Sequence, residues 1–228
     1  MALKFTTTKE ASTLHGIKVL VYGEAGMGKT VLSSTAPNPI ILSAESGLLS
    51  LRHFDIPVIE IKTVDDLTNA YDWFLKDKHA KHFSTICLDS ITEIAEVVLT
   101  NAKQQVKDPR QAYGELIEKM IKTVKAFRDI QGYNVYMSAK EELFKDEVMG
   151  SMKYRPSMPG SKLAPALPYL FDEVFALRIG QTTDKQQFRY LQTQPDIRYT
   201  AKDRSGVLDV VEKPDLTHVF NKIFQGVN

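Results

Sequence analysis

One short run of residues carries the strongest chemical signal in the chain: Gly23-Glu24-Ala25-Gly26-Met27-Gly28-Lys29-Thr30. It completes the pattern G-x-x-x-x-G-K-[ST], in which glycines let the backbone wrap a polyphosphate with its N–H groups turned inward. A lysine at the seventh position reaches the β- and γ-phosphates, and a hydroxyl at the eighth ligates Mg²⁺. Val31 follows in the helix that this loop opens, and that helix start adds a partial positive charge. The expected ligand is ATP with Mg²⁺, bound along Gly23 to Val31. A chance glycine turn before a helix is the competing account, and the strand–loop–helix context speaks against it.

A second element supports the first. Thr85-Ile86-Cys87-Leu88-Asp89 is an apolar strand ending in an acid. Asp89 at the carboxyl end of such a strand would lie beside the phosphate loop and, with Thr30, hold the magnesium shell. The same pattern also suits an aspartate that caps the next helix. Cys87 reads as a packed core residue rather than a reactive thiol.

These residues need a scaffold, and the hydrophobic pattern supplies one. Ile17 to Tyr22, Ile40 to Leu42, Val58 to Ile61, Thr85 to Leu88 and Asn134 to Ser138 read as short buried strands. Helices are expected over Gly28–Thr35, Val64–Lys76, Ser90–Lys107 and Gln111–Ile130, with a break at Asp108-Pro109. Strands alternating with helices predict an α/β fold with a mostly parallel central sheet covered on both faces. After Asp172 the pattern changes: Glu173–Ile179 and Phe188–Gln194 predict an added antiparallel hairpin, and a closing helix is expected near Asp215–Phe224. The chain has 228 residues, enough for one domain with a sizeable core. One cysteine excludes a disulfide framework and a cysteine-cluster metal site. Net charge is +1, so no bulk field drives the chain onto nucleic acid or an anionic membrane. The polar start (Met1 to His15) does not resemble a signal peptide, and no run is long enough to span a bilayer. A cytoplasmic protein without a membrane partner is expected.

Taken together these residues resemble the RecA-like ATPases, and among them the small phage-type single-strand-annealing ATPases built from a RecA core alone. The resemblance covers about Gly16 to Val211. It implies residues 1–15 as an N-terminal extension and 16–228 as a RecA-like P-loop ATPase core, placed in the host cytoplasm if phage-encoded. In Leu42-Ser43-Ala44-Glu45-Ser46-Gly47-Leu48, Glu45 matches the glutamate that orients or deprotonates the attacking water. A capping or solvated glutamate is the alternative. Lys140, after Met137-Ser138-Ala139, stands where the family carries a polar γ-phosphate sensor, and lysine departs from the usual glutamine or histidine. Ala201-Lys202-Asp203-Arg204 looks like the K-x-R element whose two cations reach a neighbouring subunit's nucleotide, and an ordinary basic turn is the alternative.

The stretch from Glu141 to Lys162 reads as a long loop, and its Lys153, Tyr154, Arg155 and Lys162 suit phosphates and a stacked base of a single strand. A flexible solvated loop is the bland reading. The resemblance thus implies an ATPase activated by self-association into a ring or filament and by single-stranded DNA, acting in annealing or homologous recombination. A single-strand-binding protein is a further partner it suggests. Two alternatives remain open: a helicase-like DNA motor, and a nucleotide-gated protein-interaction switch.

Overall fold

The computed structural model describes residues 5–8, 10, 15–45, 47–147 and 150–226. Much of the expected N-terminal extension, together with Ser46 and positions 148–149, lies outside the described residues. Among those described, a nine-stranded sheet forms the centre of the molecule.

In chain order the elements are β1 (Lys18–Tyr22), α1 (Lys29–Ser33), β2 (Pro39–Ser43), β3 (Val58–Glu60), α2 (Val64–Lys76), β4 (Thr85–Asp89), α3 (Ile91–Gln105), α4 (Pro109–Arg128) and β5 (Asn134–Ala139). They continue with β6 (Glu141–Lys145), β7 (Met152–Pro156), α5 (Leu163–Ala166), β8 (Glu173–Gln181), β9 (Gln187–Gln192), β10 (Lys202–Asp203), β11 (Val211–Glu212) and α6 (Leu216–Gln225). The spatial order is β11-β9-β8-β1-β5-β4-β2-β3, with β10 also pairing β8. Every pairing from β3 through to β8 is parallel, and β9, β10 and β11 join antiparallel. The expected fold class, a mostly parallel sheet with an added C-terminal hairpin, is the one observed.

Alternation along β1 builds two cores. Leu20 and Tyr22 face the layer of α2, α3 and α4, whereas Val19 and Val21 face α1 and α6. Local chemistry sets the helix starts. Thr63 and Asp66 form a reciprocal capping box on α2, Ser90 caps α3, and Asp108 caps α4 with Pro109 in its first turn. The sequence pattern therefore places the start of α4 two residues late, because Pro109 begins the helix instead of breaking it.

Two further departures concern the site. The helix expected over Gly28–Thr35 is α-helical only from Lys29 to Ser33. The stretch from Glu141 to Lys162 is not a loop. It folds into the antiparallel hairpin β6–β7, with Glu142 opposite Arg155 and Phe144 opposite Lys153. Alternation of Met152 and Tyr154 with Lys153 and Arg155 is a strand pattern that the charge content obscured.

The C-terminal helix is fastened to the phosphate-loop helix. Leu216 N donates to Thr35 Oγ1 at 2.8 Å, and Thr217 donates to the Thr35 carbonyl through both its N–H (3.1 Å) and its hydroxyl (2.6 Å). Cys87 is fully buried, and burial pushes its thiol pKa well up, so it behaves as core packing.

Glu173 at the start of β8 is also buried. Burial first, and then the negative charge of Asp203, push its carboxyl from 4.5 up to about 8. The native state then binds more protons than the unfolded state between those values, so stability should fall as pH rises through that window. Thermal midpoints measured from below pH 4.5 to above pH 8 should show this decline, and Glu173→Gln should flatten it.

Candidate nucleotide site

The carboxyl ends of β1, β4 and β5 meet at one level of the sheet. Leu20 and Leu88 both pair with Met137 of β5, so β5 stands between the strand that leads into the phosphate loop and the strand that ends in Asp89. The loop turns over this end of the sheet. Gly28 has φ 98°, a left-handed conformation that other residues adopt at a cost. Gly23 is needed for a different reason: a Cβ there would lie 2.9 Å from the Leu177 carbonyl of β8.

Thr30 and Asp89 are brought together. The Thr30 hydroxyl donates to Asp89 Oδ2 at 2.7 Å, and the Ser138 hydroxyl donates to Oδ1. Asp89 is only 2% exposed, so these donors satisfy a carboxylate that burial would otherwise penalise heavily. Lys29 Nζ donates to the carbonyls of Gly23 (2.7 Å) and Glu24 (2.8 Å). Burial holds its ammonium below the usual lysine range, opposed by the charges of Glu45 and Asp89. Beneath the loop the buried Tyr136 hydroxyl donates to the Lys29 carbonyl at 2.7 Å, which fixes the start of α1 to β5.

Glu45 lies just beyond β2 and accepts a 2.7 Å hydrogen bond from the Ser90 hydroxyl. Lys140, directly after β5, pairs with Glu93 of α3. Both line a cavity of about 820 Å³ together with Gly23 through Leu32, Asp89, Glu141 and Arg189. That size suits a nucleotide. Four carboxylates (Glu24, Glu45, Asp89, Glu141) and three cations (Lys29, Lys140, Arg189) line it. Such a balance disfavours a bare triphosphate and favours one whose charge is partly neutralised by a divalent cation. Thr30 and Asp89 are the residues that would hold that magnesium, which takes most of its remaining ligands from phosphate oxygens and water. The chain fits Mg²⁺ with a nucleotide.

The other residues nominated from sequence lie elsewhere. Lys153 pairs with Asp146 at 3.1 Å, Arg155 pairs with Glu142 at 2.6 Å and lies over the Phe144 ring, and Lys162 is exposed at the start of α5. The Tyr154 ring stacks on Tyr199, centroids 4.9 Å apart. Lys202 Nζ donates to the carbonyls of Pro168 (3.1 Å) and Phe171 (2.5 Å), and Arg204 pairs with Asp172 at 2.8 Å. Asp172 also accepts from Lys18 N at the beginning of β1. Lys202 and Arg204 therefore sit at the end of the sheet opposite their own phosphate loop.

Three contributors escaped the sequence reading. Ser138 has a signal, a hydroxyl one residue before the end of a core strand. Glu141 has one too, its place directly after Lys140 at the end of β5, whereas Arg189 has none locally, because it reaches the cavity through the β8–β9 hairpin.

The fold and this site define a P-loop nucleotide-binding protein. Residues 15–205 match the family described as AAA domain, and the chain belongs to that family of ATPases. No curated protein matches the chain. Solved structures similar to it include a KaiC-like protein from the hyperthermophilic archaeon Pyrococcus horikoshii, at 15% identity and a TM-score of 0.47, covering 82% of this chain and 83% of that one. Among the described residues no helix is long and apolar enough to cross a membrane.

Glu141 adds a pH dependence. Burial first, and the neighbouring Glu24 charge next, push its carboxyl up to about 7 against the opposing pull of Lys29 and Arg178. Below that pH it is neutral, and above it a further negative charge faces the polyanion. Mg·ATP affinity should therefore drop as pH rises through about 7, and Glu141→Gln should remove that part of the drop when calorimetric titrations of the two proteins are compared.

Proposed function

We propose that this chain is an ATP-hydrolysing RecA-like protein that binds single-stranded DNA and promotes annealing or homologous recombination. The observation that carries the reading is a hydrogen-bonded path from the nucleotide cavity to the β6–β7 hairpin. The first turn of α3 holds both ends of it. Ser90 donates to Glu45, and two residues on, the Thr92 hydroxyl accepts from Lys140 N at 3.0 Å and donates to the Ser157 carbonyl at 2.8 Å. Ser157 N in turn donates to the Lys140 carbonyl at 2.7 Å. A change at the γ-phosphate that moves Glu45 or Lys140 is felt at the base of the hairpin, and a strand on the hairpin is felt at Glu45.

In this reading Glu45 orients the attacking water and takes its proton, while Lys29 follows the charge that develops on the transferring phosphoryl oxygens. Thr30 and Asp89 would hold a magnesium ion, which would supply positive charge to the triphosphate. Lys140 exchanges Glu93 for the γ-phosphate. Lys153, Tyr154 and Arg155 of the hairpin, with Lys162 beyond it, offer contacts to a single strand. Arg204 is exposed and remote from its own loop, and exchanging Asp172 for a phosphate would let it serve a neighbouring subunit in a ring or filament.

One observation favours a second reading, a nucleotide-gated protein switch. Lys140, Lys153 and Arg155 are each matched by a carboxylate, so the hairpin presents little unbalanced positive charge. ATP turnover measured against protein concentration, with and without single-stranded DNA, separates the two. DNA should raise turnover, and turnover per chain should rise with concentration. Saturating DNA that changes neither hydrolysis nor assembly would leave the switch. Glu45→Gln should retain Mg·ATP binding while slowing turnover by about 10²-fold. A variant with undiminished turnover would return Glu45 to a structural role.

A further inference from the structure

The β8–β9 hairpin does more than extend the sheet. Its register pairs Leu177 with Leu191 and Ile179 with Arg189, so these four side chains share one face of the hairpin. Leu177 and Leu191 pack in the core beside α1 and the phosphate-loop strand. The same face, continued past the edge of the core, carries Arg189 over the phosphate loop. There Nη2 donates to the Gly26 carbonyl at 3.4 Å, and Nε and Cδ stand 3.7 and 3.8 Å from where a Cβ on Gly28 would be.

Arg189 differs from the other cations around the site. Lys140 and Arg178 each have a carboxylate within ion-pair distance, and Lys29 is held by two carbonyls. Arg189 is exposed, has no carboxylate partner among the described residues, and makes one long hydrogen bond to a neutral oxygen. A phosphate oxygen is a far better acceptor, because it is charged and accepts the planar guanidinium fork in two parallel bonds. Lys29 rests on the Gly23 and Glu24 carbonyls and Arg189 on the Gly26 carbonyl, so both cations lie on acceptors of the same loop. Among the described residues no aromatic side chain lines the cavity, which leaves charge, rather than stacking, as the chemistry at the loop's upper rim.

We propose that Arg189 is a phosphate-binding residue of the nucleotide site, supplied by the β8–β9 hairpin of the same chain. The proposal rests on the phosphate-loop reading and adds a cis cation to it. The full chain closes its own site from above before any neighbour contributes.

Calorimetric titration with Mg·ATP and with magnesium tripolyphosphate, which has no base or sugar, tests this. Wild type, Arg189→Ala, Arg189→Lys and Lys29→Ala are compared, and Arg189 is exposed enough for its substitution to leave folding intact. Arg189→Ala should weaken both ligands by about tenfold, the scale of one charge-assisted hydrogen bond, and Arg189→Lys should recover part of the loss. Undiminished affinity in Arg189→Ala, with Lys29→Ala abolishing binding, would overturn the proposal and leave the phosphate loop standing. A loss confined to Mg·ATP would also overturn it, because it would place the contact on the base or sugar. Wild-type protein that took up neither ligand would remove the phosphate-loop reading and this proposal together.

Discussion

The buried carboxylate of Asp89 is the constraint around which the site is arranged. A carboxylate at 2% exposure is costly unless donors surround it, and here two hydroxyls do, from Thr30 and Ser138. One donor comes from the phosphate loop and the other from the strand inserted between β1 and β4. The carboxylate thus ties three separate segments together. The tie depends on strand register. Because side chains alternate across the sheet, a slip of one residue in β4 would turn Asp89 to the far face and put a leucine beside Thr30.

Around that centre the charges are distributed with a consistent logic. Cations that line the cavity or its rim are held on weak or exchangeable acceptors: Lys29 on carbonyls, Lys140 on a surface glutamate, Arg189 on a single carbonyl. Burial works in the same direction on Lys29, where it disfavours the isolated ammonium and so raises the gain from meeting a polyanion.

The core of this arrangement was legible in the sequence. The phosphate loop, the acid ending β4 and the C-terminal hairpin announce themselves through local pattern, the glutamate after β2 through the resemblance to RecA-like ATPases, and each occupies the expected element. The failures share a cause. The β6–β7 hairpin looked like a loop because paired charges such as Glu142 and Arg155 read as solvation when their cross-strand register is unknown. Arg189 was invisible because its role arises from pairing with Ile179, a long-range fact that no window around Arg189 contains. Lys202 and Arg204 were recognisable as a pair, but the acceptors that hold them, Pro168, Phe171 and Asp172, come from a segment thirty-odd residues earlier in the chain.

The junction of α1 with α6 has a consequence for the chain as a whole. Thr35 follows the phosphate-loop helix and takes its hydrogen bonds from the first residues of the last helix, Leu216 and Thr217. The earliest functional element and the final structural one are thereby a single mechanical unit. A protein shortened after Lys213 would lose a brace of its ligand cradle and not merely a peripheral appendage, and a tag or fusion at this terminus inherits a lever on the helix that follows the phosphates.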